Sequence, residues 1–264
     1  MTSPPIAYRI PGPTASPPLT RSPSAGRLDC ASGTVHRALA EAPIGGYGML
    51  EAALAWQHLR STGPGNTGGG THATASRHLP VVETHSGAVA ARIARLLSGL
   101  AWAIVTQADA GDTGFKRSPA VRVEVPRTLH RRVLRALTNA WRDARRQFDP
   151  RVPGTATDTD AAVALWRMGI LVAGLGPSHN MVYLRTGTST MAEMMAAAAR
   201  CLGLTPIVDN VHGAPAVALY HLGEVHWLLA EAGAGGAATV WVRGGRPAGA
   251  ASTSVGLWPS TTPS

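Results

Sequence analysis

The chain has 264 residues, 45% of them hydrophobic and only 15% charged, with a formal net charge of +9 and a sequence pI near 10.9. That is enough apolar material for one large or two small cores. The charge favours a polyanionic partner, nucleic acid ahead of an anionic membrane surface. Lys116 is the single lysine, so nearly all of the positive charge is arginine. Guanidinium forks suit phosphate, although a GC-rich genome would give the same bias. Cys30 and Cys201 stand far apart, which excludes a disulfide framework and a CxxC zinc site and fits a reducing cytoplasm. Arg167 interrupts the longest apolar run, so no membrane span is expected, and the Pro-rich start lacks the apolar region of a signal peptide.

Residues 1–80 read as mostly disordered, because a Pro/Ser/Thr tail to about Ser32 cannot bury enough apolar surface to order itself. One helix is expected within them at about 47–60, after the Gly45-Gly46 break. Ser61–Thr71 (STGPGNTGGGT) reads as a flexible linker, so the folded domain is placed after about Leu79. From Ser86 to Val105, Val89, Ile93, Leu96, Leu97, Leu100 and Ile104 recur at helical spacing behind a Ser86 N-cap. Ala120–Val125 alternates strictly and predicts a strand, stopped by Pro126. Arg127–Phe148 predicts an amphipathic helix with Leu129, Val133, Leu134, Leu137 and Trp141 inward and arginines outward.

The second half repeats this order. Ala161–Ala173, capped by Asp158 or Asp160, is the most apolar helix and runs into a glycine corner at Gly174 and Gly176. A strand follows from His179 to Thr186, and a capping box at Thr190 and Glu193 opens a helix ending near Leu202 before Gly203. Strands at Pro206–Val211 and Ala216–Tyr220 flank a turn at His212-Gly213. A helix spans Leu222–Ala232, and Ala238–Val242 reads as a last strand before a low-complexity tail at residues 244–264. The fold class is α+β: a duplicated α-β-α-β-β-α domain with helices on one face of an antiparallel sheet, between disordered termini. The first repeat is placed at residues 86–150 and lacks room for its own second hairpin and third helix; the second is placed at 158–243.

On these residues the chain resembles the LAGLIDADG homing-endonuclease fold, and within it the WhiA family of bacterial regulators. The resemblance rests on LWRMGILVAGLG, the strand MVYLRT, the helix MAEMMAAAARCLGL and the segment HLGEVHWLLAEAGA; a weaker match covers ARIARLLSGLA, AVRVEVP and LHRRVLRAL. In the nuclease branch two such helices meet at the domain centre, and each brings an acid just before its final glycine to a catalytic metal. Here Ala173 precedes Gly174, and Ser98-Gly99-Leu100-Ala101 offers no carboxylate either; the nearest acids are Asp109 and Asp112. The resemblance therefore implies a protein that is not an enzyme: a DNA-associated transcriptional regulator, nucleoid-associated in the cytoplasm, linked to sporulation or cell division. The C-terminal helix-turn-helix domain of that family has no counterpart before the chain ends.

In this fold the sheet lies against DNA, so the implied contacts are Lys116, Arg117, Arg122, His179, Asn180, Tyr183 and Arg185, reaching phosphates or guanine edges of double-stranded DNA. A sigma factor is the implied protein partner; no membrane and no small-molecule substrate is expected. Arg127, Arg131, Arg132, Arg135, Arg142, Arg145 and Arg146 read as a solvated helix face, or else as a second nucleic-acid or partner contact. His72, His78 and His85 are irregularly spaced, His221 and His226 do not share a helix face, and no metal-ligand motif occurs, so neither metal nor cofactor is expected. Trp102 and Trp166 read as core residues and Cys201 as a small buried hydrophobe. The alternatives are a metal-dependent endonuclease using Asp109, Asp112 or Asp160, and a protein-interaction module that does not bind DNA.

Overall fold

A computed structural model describes residues 23–62, 76–107, 120–152, 158–175, 181–211 and 213–244. In chain order the elements are α1 (Pro23–Glu41), α2 (Gly48–Thr62), β1 (His78–Thr84), α3 (Gly87–Leu97), β2 (Ile104–Gln107), β3 (Val121–Pro126) and α4 (Arg127–Gln147). Then come α5 (Thr159–Ala173), β4 (Val182–Arg185), α6 (Ser189–Cys201), β5 (Ile207–Val211), β6 (Ala214–Leu219), α7 (Leu222–Leu229) and α8 (Gly235–Gly244). The expected duplicated order is present: α2-β1-α3-β2-β3-α4 is followed by α5-β4-α6-β5-β6-α7. Each half forms a three-stranded antiparallel sheet with its last strand in the middle, β1-β3-β2 and β4-β6-β5.

The first repeat begins earlier than its hydrophobic periodicity suggests. The helix that packs against α5 at the centre is α2, whereas α3 packs on α1, α2 and its own sheet. So Leu97–Ala101 is not the partner of Met168–Gly174, and the repeat has both its hairpin and its third helix. The expectation that folded chain starts after about Leu79 is likewise corrected. Val35 and Leu39 of α1, and Leu50, Ala53, Leu54 and Trp56 of α2, are buried in the same core as Leu165, Met168 and Ile170 of α5. The chain is helical from Pro23, inside the stretch read as tail. The remaining parts of the linker, the loop after Gln107 and both termini lie outside the described residues.

Local chemistry explains most boundaries. Ser86 accepts a hydrogen bond from the Val89 amide, Asp158 from Ala161 and Thr188 from Met191, so each satisfies one orphan donor of its helix. The α6 cap is thus Thr188 rather than the Thr190 capping box. Strand β2 takes Ile104 and Val105 from the end of the predicted α3 helix, and Trp102, in the turn between α3 and β2, is 79% exposed, not core. Ala238–Val242 is helical: it lies in α8, which continues α7 through a π turn at Ala230–Ala234. That turn depends on Gly233, whose φ of 97° disfavours a side chain and whose added Cβ would sit 2.7 Å from the Ala42 Cβ.

A buried ionic hub ties the halves together. Glu51 of α2 is 1% exposed, and its carboxylate accepts from the Arg92 Nε of α3 and the Arg167 Nη1 of α5, each at 2.7 Å. Arg92 also donates to the Ala40 and Ala42 carbonyls at the end of α1, at 3.1 and 2.8 Å, and Arg167 donates to Ala232 in the π turn at 2.6 Å. Burial pushes the Arg92 guanidinium down from its ordinary pKa, and the Glu51 charge and hydrogen bond oppose that shift.

Removing one partner of such a pair leaves an uncompensated buried charge, at about 3–5 kcal/mol. Glu51→Gln is therefore expected to lower the melting temperature by roughly 6–20 °C, at about 2–4 °C per kcal/mol for a domain of this size. Arg122→Gln, at a surface pair, should move it by no more than about 4 °C. A thermal melt in which the two variants behave alike would remove Glu51 from this role.

Candidate nucleic-acid interface

The C-terminal ends of α2 and α5 meet beneath the second sheet. They enclose a cavity of about 10 Å3 lined by Leu54, His58, Gly169, Ala173, Leu184 and Met195, among others. The volume is that of about one water. Ser61 of α2 comes so close to the β4–α6 loop that a Cβ on Gly187 would lie 1.7 Å from its Oγ. At these two ends α2 presents His58, Arg60 and Ser61, and α5 presents Ala173, with no carboxylate from either. The acid of α2, Glu51, lies in its first turn and is held by Arg92 and Arg167. Asp160 is exposed in the first turn of α5, away from that end, while Asp109 and Asp112 lie outside the described residues. Among the described residues no three or more His, Cys, Asp or Glu side chains gather as a metal site would require, and no helix is long and apolar enough to cross a membrane.

Each sheet turns one face to the helices. Val123, Val125, Val182, Leu184, Val217 and Leu219 are buried on those faces. Cross-strand partners share a face, so the opposite face of the first sheet carries the row Glu83, Arg122, Thr106 and the row Pro80, Glu124, Ile104. The second sheet carries Tyr183, Ala218, Ile207 and then Arg185, Ala216, Asp209. Arg122 forms an ion pair with Glu83 at 2.9 Å, both side chains about half exposed. Arg185 is exposed in the same row as Asp209. Tyr183 is half-buried, and its hydroxyl is shielded from solvent without a hydrogen-bond partner among the described residues. Lys116, Arg117, His179 and Asn180 lie outside the described residues. The described open faces thus mix cations with acids.

The concentrated positive charge is on α4. Val133, Leu137 and Ala144 are buried on its inner side, packing it on α2 and the first sheet. Arg127, Arg131, Arg132, Arg135, Arg142, Arg145 and Arg146 are all exposed, and Asp143 is the only acid of the helix. At 100° per residue these arginines fall within an arc of roughly 140° and run about 28 Å along the axis. Arg146 meets Asp143 only at 3.8 Å, and Arg142 donates to the Asn139 amide oxygen at 3.2 Å. Arg131, Arg132, Arg135 and Arg145 form no ion pair among the described residues. Like charges three and four residues apart each destabilise the helix by about 0.2–0.5 kcal/mol. The repeated i, i+4 spacing was the signal in the sequence; a solvated face does not need so many cations with so few acids.

Fold and site together define a duplicated α+β domain with a strongly basic outer helix. No protein-family model and no curated protein matches the chain. It is similar to the crystal structure of full-length DUF199/WhiA from Thermatoga maritima, at 13% identity and a TM-score of 0.48, covering 75% of this chain and 60% of that one. It is also similar to the crystal structure of the N-terminal LAGLIDADG domain of DUF199/WhiA, at 11% identity and a TM-score of 0.46, covering 81% of this chain and 92% of that one.

His58, 5% exposed at the end of α2, has its pKa lowered by burial from 6.5 to about 4. Between those values the unfolded chain binds a proton that the folded chain refuses, so stability is complete above pH 6.5 and falls as the pH drops toward 4. The loss from pH 7.5 to pH 5 is expected to be about 2 kcal/mol. Denaturant unfolding at the two pH values measures it, and His58→Leu should remove most of the difference. An unchanged pH dependence in that variant would assign the effect elsewhere.

Proposed function

We propose that the protein is a non-catalytic, double-stranded-DNA-associated transcriptional regulator of the WhiA-like kind. One observation carries this reading: the concentration of positive charge on α4. Its seven arginines face outward with Asp143 as the only acid of the helix, in a chain of net charge +9. Such a surface suits phosphate, and arginine suits it better than lysine does. The ends of α2 and α5, with His58, Ser61 and Ala173 in the positions from which metal-binding acids would project, support a binding role over cleavage.

The proposed sheet-side contacts are Lys116, Arg117, Arg122, His179, Asn180, Tyr183 and Arg185. A part in sporulation or cell-division control, a sigma-factor partner and nucleoid association follow from the sequence resemblance and belong to the same proposal.

Titration of a labelled 30-base-pair duplex by fluorescence anisotropy tests the reading. Affinity is expected to fall by at least about 100-fold between 50 and 200 mM salt, the behaviour of a protein neutralising several phosphates. No binding at low salt would sink it. The endonuclease alternative, drawing on Asp109, Asp112 or Asp160, predicts magnesium-dependent nicking of a supercoiled plasmid that chelator abolishes. Intact plasmid is expected in both conditions.

A further inference from the structure

We infer that the exposed arginine stripe of α4 is a seat for duplex DNA, separate from the open faces of the sheets. The inference rests on the DNA-association reading and assigns it a surface. α4 packs on the helix-covered side of the first sheet, with Val133 and Leu137 in the core shared by Val123 and Val125. Its arginines therefore point away from the opposite face, where Arg122 is paired with Glu83. One straight duplex segment lying on that open face does not reach them.

The occupant follows from the spacing. Arg127, Arg131 and Arg135 succeed one another at about 6 Å along the axis, as do Arg142 and Arg146. The stripe as a whole, about 28 Å long, approaches one turn of B-form DNA. A stiff, regularly charged duplex matches guanidinium groups carried at regular spacing on a stiff helix. A flexible acidic peptide matches it only after ordering itself, which reduces its affinity. The stripe presents arginine and few other polar side chains, a pattern that contacts backbone and carries little base readout. Binding here is expected to be tolerant of sequence.

The test uses the full chain and a quadruple variant, Arg131→Gln, Arg135→Gln, Arg142→Gln and Arg145→Gln. Its control removes equal charge elsewhere through Arg37→Gln, Arg60→Gln, Arg151→Gln and Arg200→Gln, all exposed and outside α4. All substituted side chains are on the surface, and circular dichroism melts establish that each protein is folded. The slope of log affinity against log salt is read for a random duplex. In the α4 variant its magnitude is expected to drop by about three to four, at about 0.9 for each phosphate no longer neutralised. In the control it should change by less than about one.

A slope unchanged in the α4 variant, or reduced as much in the control, overturns the seat while leaving DNA association standing. Absence of duplex binding by the unmodified chain overturns the association itself. Displacement of duplex from α4 by polyglutamate at equal charge concentration would also overturn the assignment, because the stripe would then be a generic acidic-partner surface.

Discussion

Three long-range side chains decide how this chain closes. Glu51 lies 41 residues from Arg92 and 116 from Arg167, yet one carboxylate accepts from both. Its two oxygens are divided between the repeats: Oε2 goes to Arg92 of the first, Oε1 to Arg167 of the second. The arginines in turn donate to backbone carbonyls at helix breaks. Arg92 takes the carbonyls that α1 leaves open at its C-terminus, and Arg95 assists at Ala40. Arg167 takes Ala232, in the π turn where the helical hydrogen-bond ladder is broken. The hub carries one negative and two positive charges in the interior. A cluster of this kind is weak evidence for net stability, since desolvation offsets most of the Coulomb attraction. Its effect is geometric: the contacts of Glu51, Arg92 and Arg167 fix α1, α2, α3, α5 and the α7–α8 kink relative to one another.

That dependence explains which parts of the fold were legible beforehand. The apolar helix α5, the alternating β3 and the amphipathic α4 announce themselves locally, because burial on one face imposes a period on the sequence. The role of α2 does not. It carries Glu51 and His58 on its buried side, so its pattern is blurred, and Gly45-Gly46 before it and a Gly-rich stretch after it look like domain edges. α3 has the cleaner stripe and was the natural candidate for the central position. The better guide lay in a short internal echo. Thr84-x-Ser86 precedes α3 and Thr186-x-Thr188 precedes α6, both threonines are buried, and both second residues cap the helix. Leu97-Ser98-Gly99-Leu100 and Cys201-Leu202-Gly203-Leu204 close the same two helices. Aligning those segments pairs α3 with α6, which leaves α2 as the counterpart of α5.

The departures from local expectation share one cause, the priority of tertiary context over propensity. Trp102 looks like core by type, but the chain turns into β2 at that point and leaves its ring outside. Ala238–Val242 has strand-like residues, yet packing of α8 against α1 and α7 makes it helical. For the candidate interface, strand alternation correctly put Arg122, Tyr183 and Arg185 on the face opposite the core. It could not reveal that Glu83 neutralises Arg122 across the sheet, since that pairing depends on the β1–β3 register and the irregularity between Pro80 and Val82.

The same register argument gives α4 its significance. A β-sheet face built from antiparallel strands brings residues distant in sequence into cross-strand pairs, and opposite charges there are selected to pair. On the sheets of this protein Arg122 meets Glu83, and Arg185 shares a row with Asp209. A helix surface is governed by neighbours three and four residues away, where acids would be the natural companions of so many arginines. α4 has Asp143 alone for that purpose, at one edge of the stripe. Its repulsion is tolerated because Val133, Leu137 and Ala144 anchor the inner side in the core, so the helix does not depend on its surface for stability. The packing supplies the rigidity and the exposed arginines supply the charge. A helix held this way keeps its cations in line whether or not a polyanion is present, and that preorganisation lowers the conformational cost of docking.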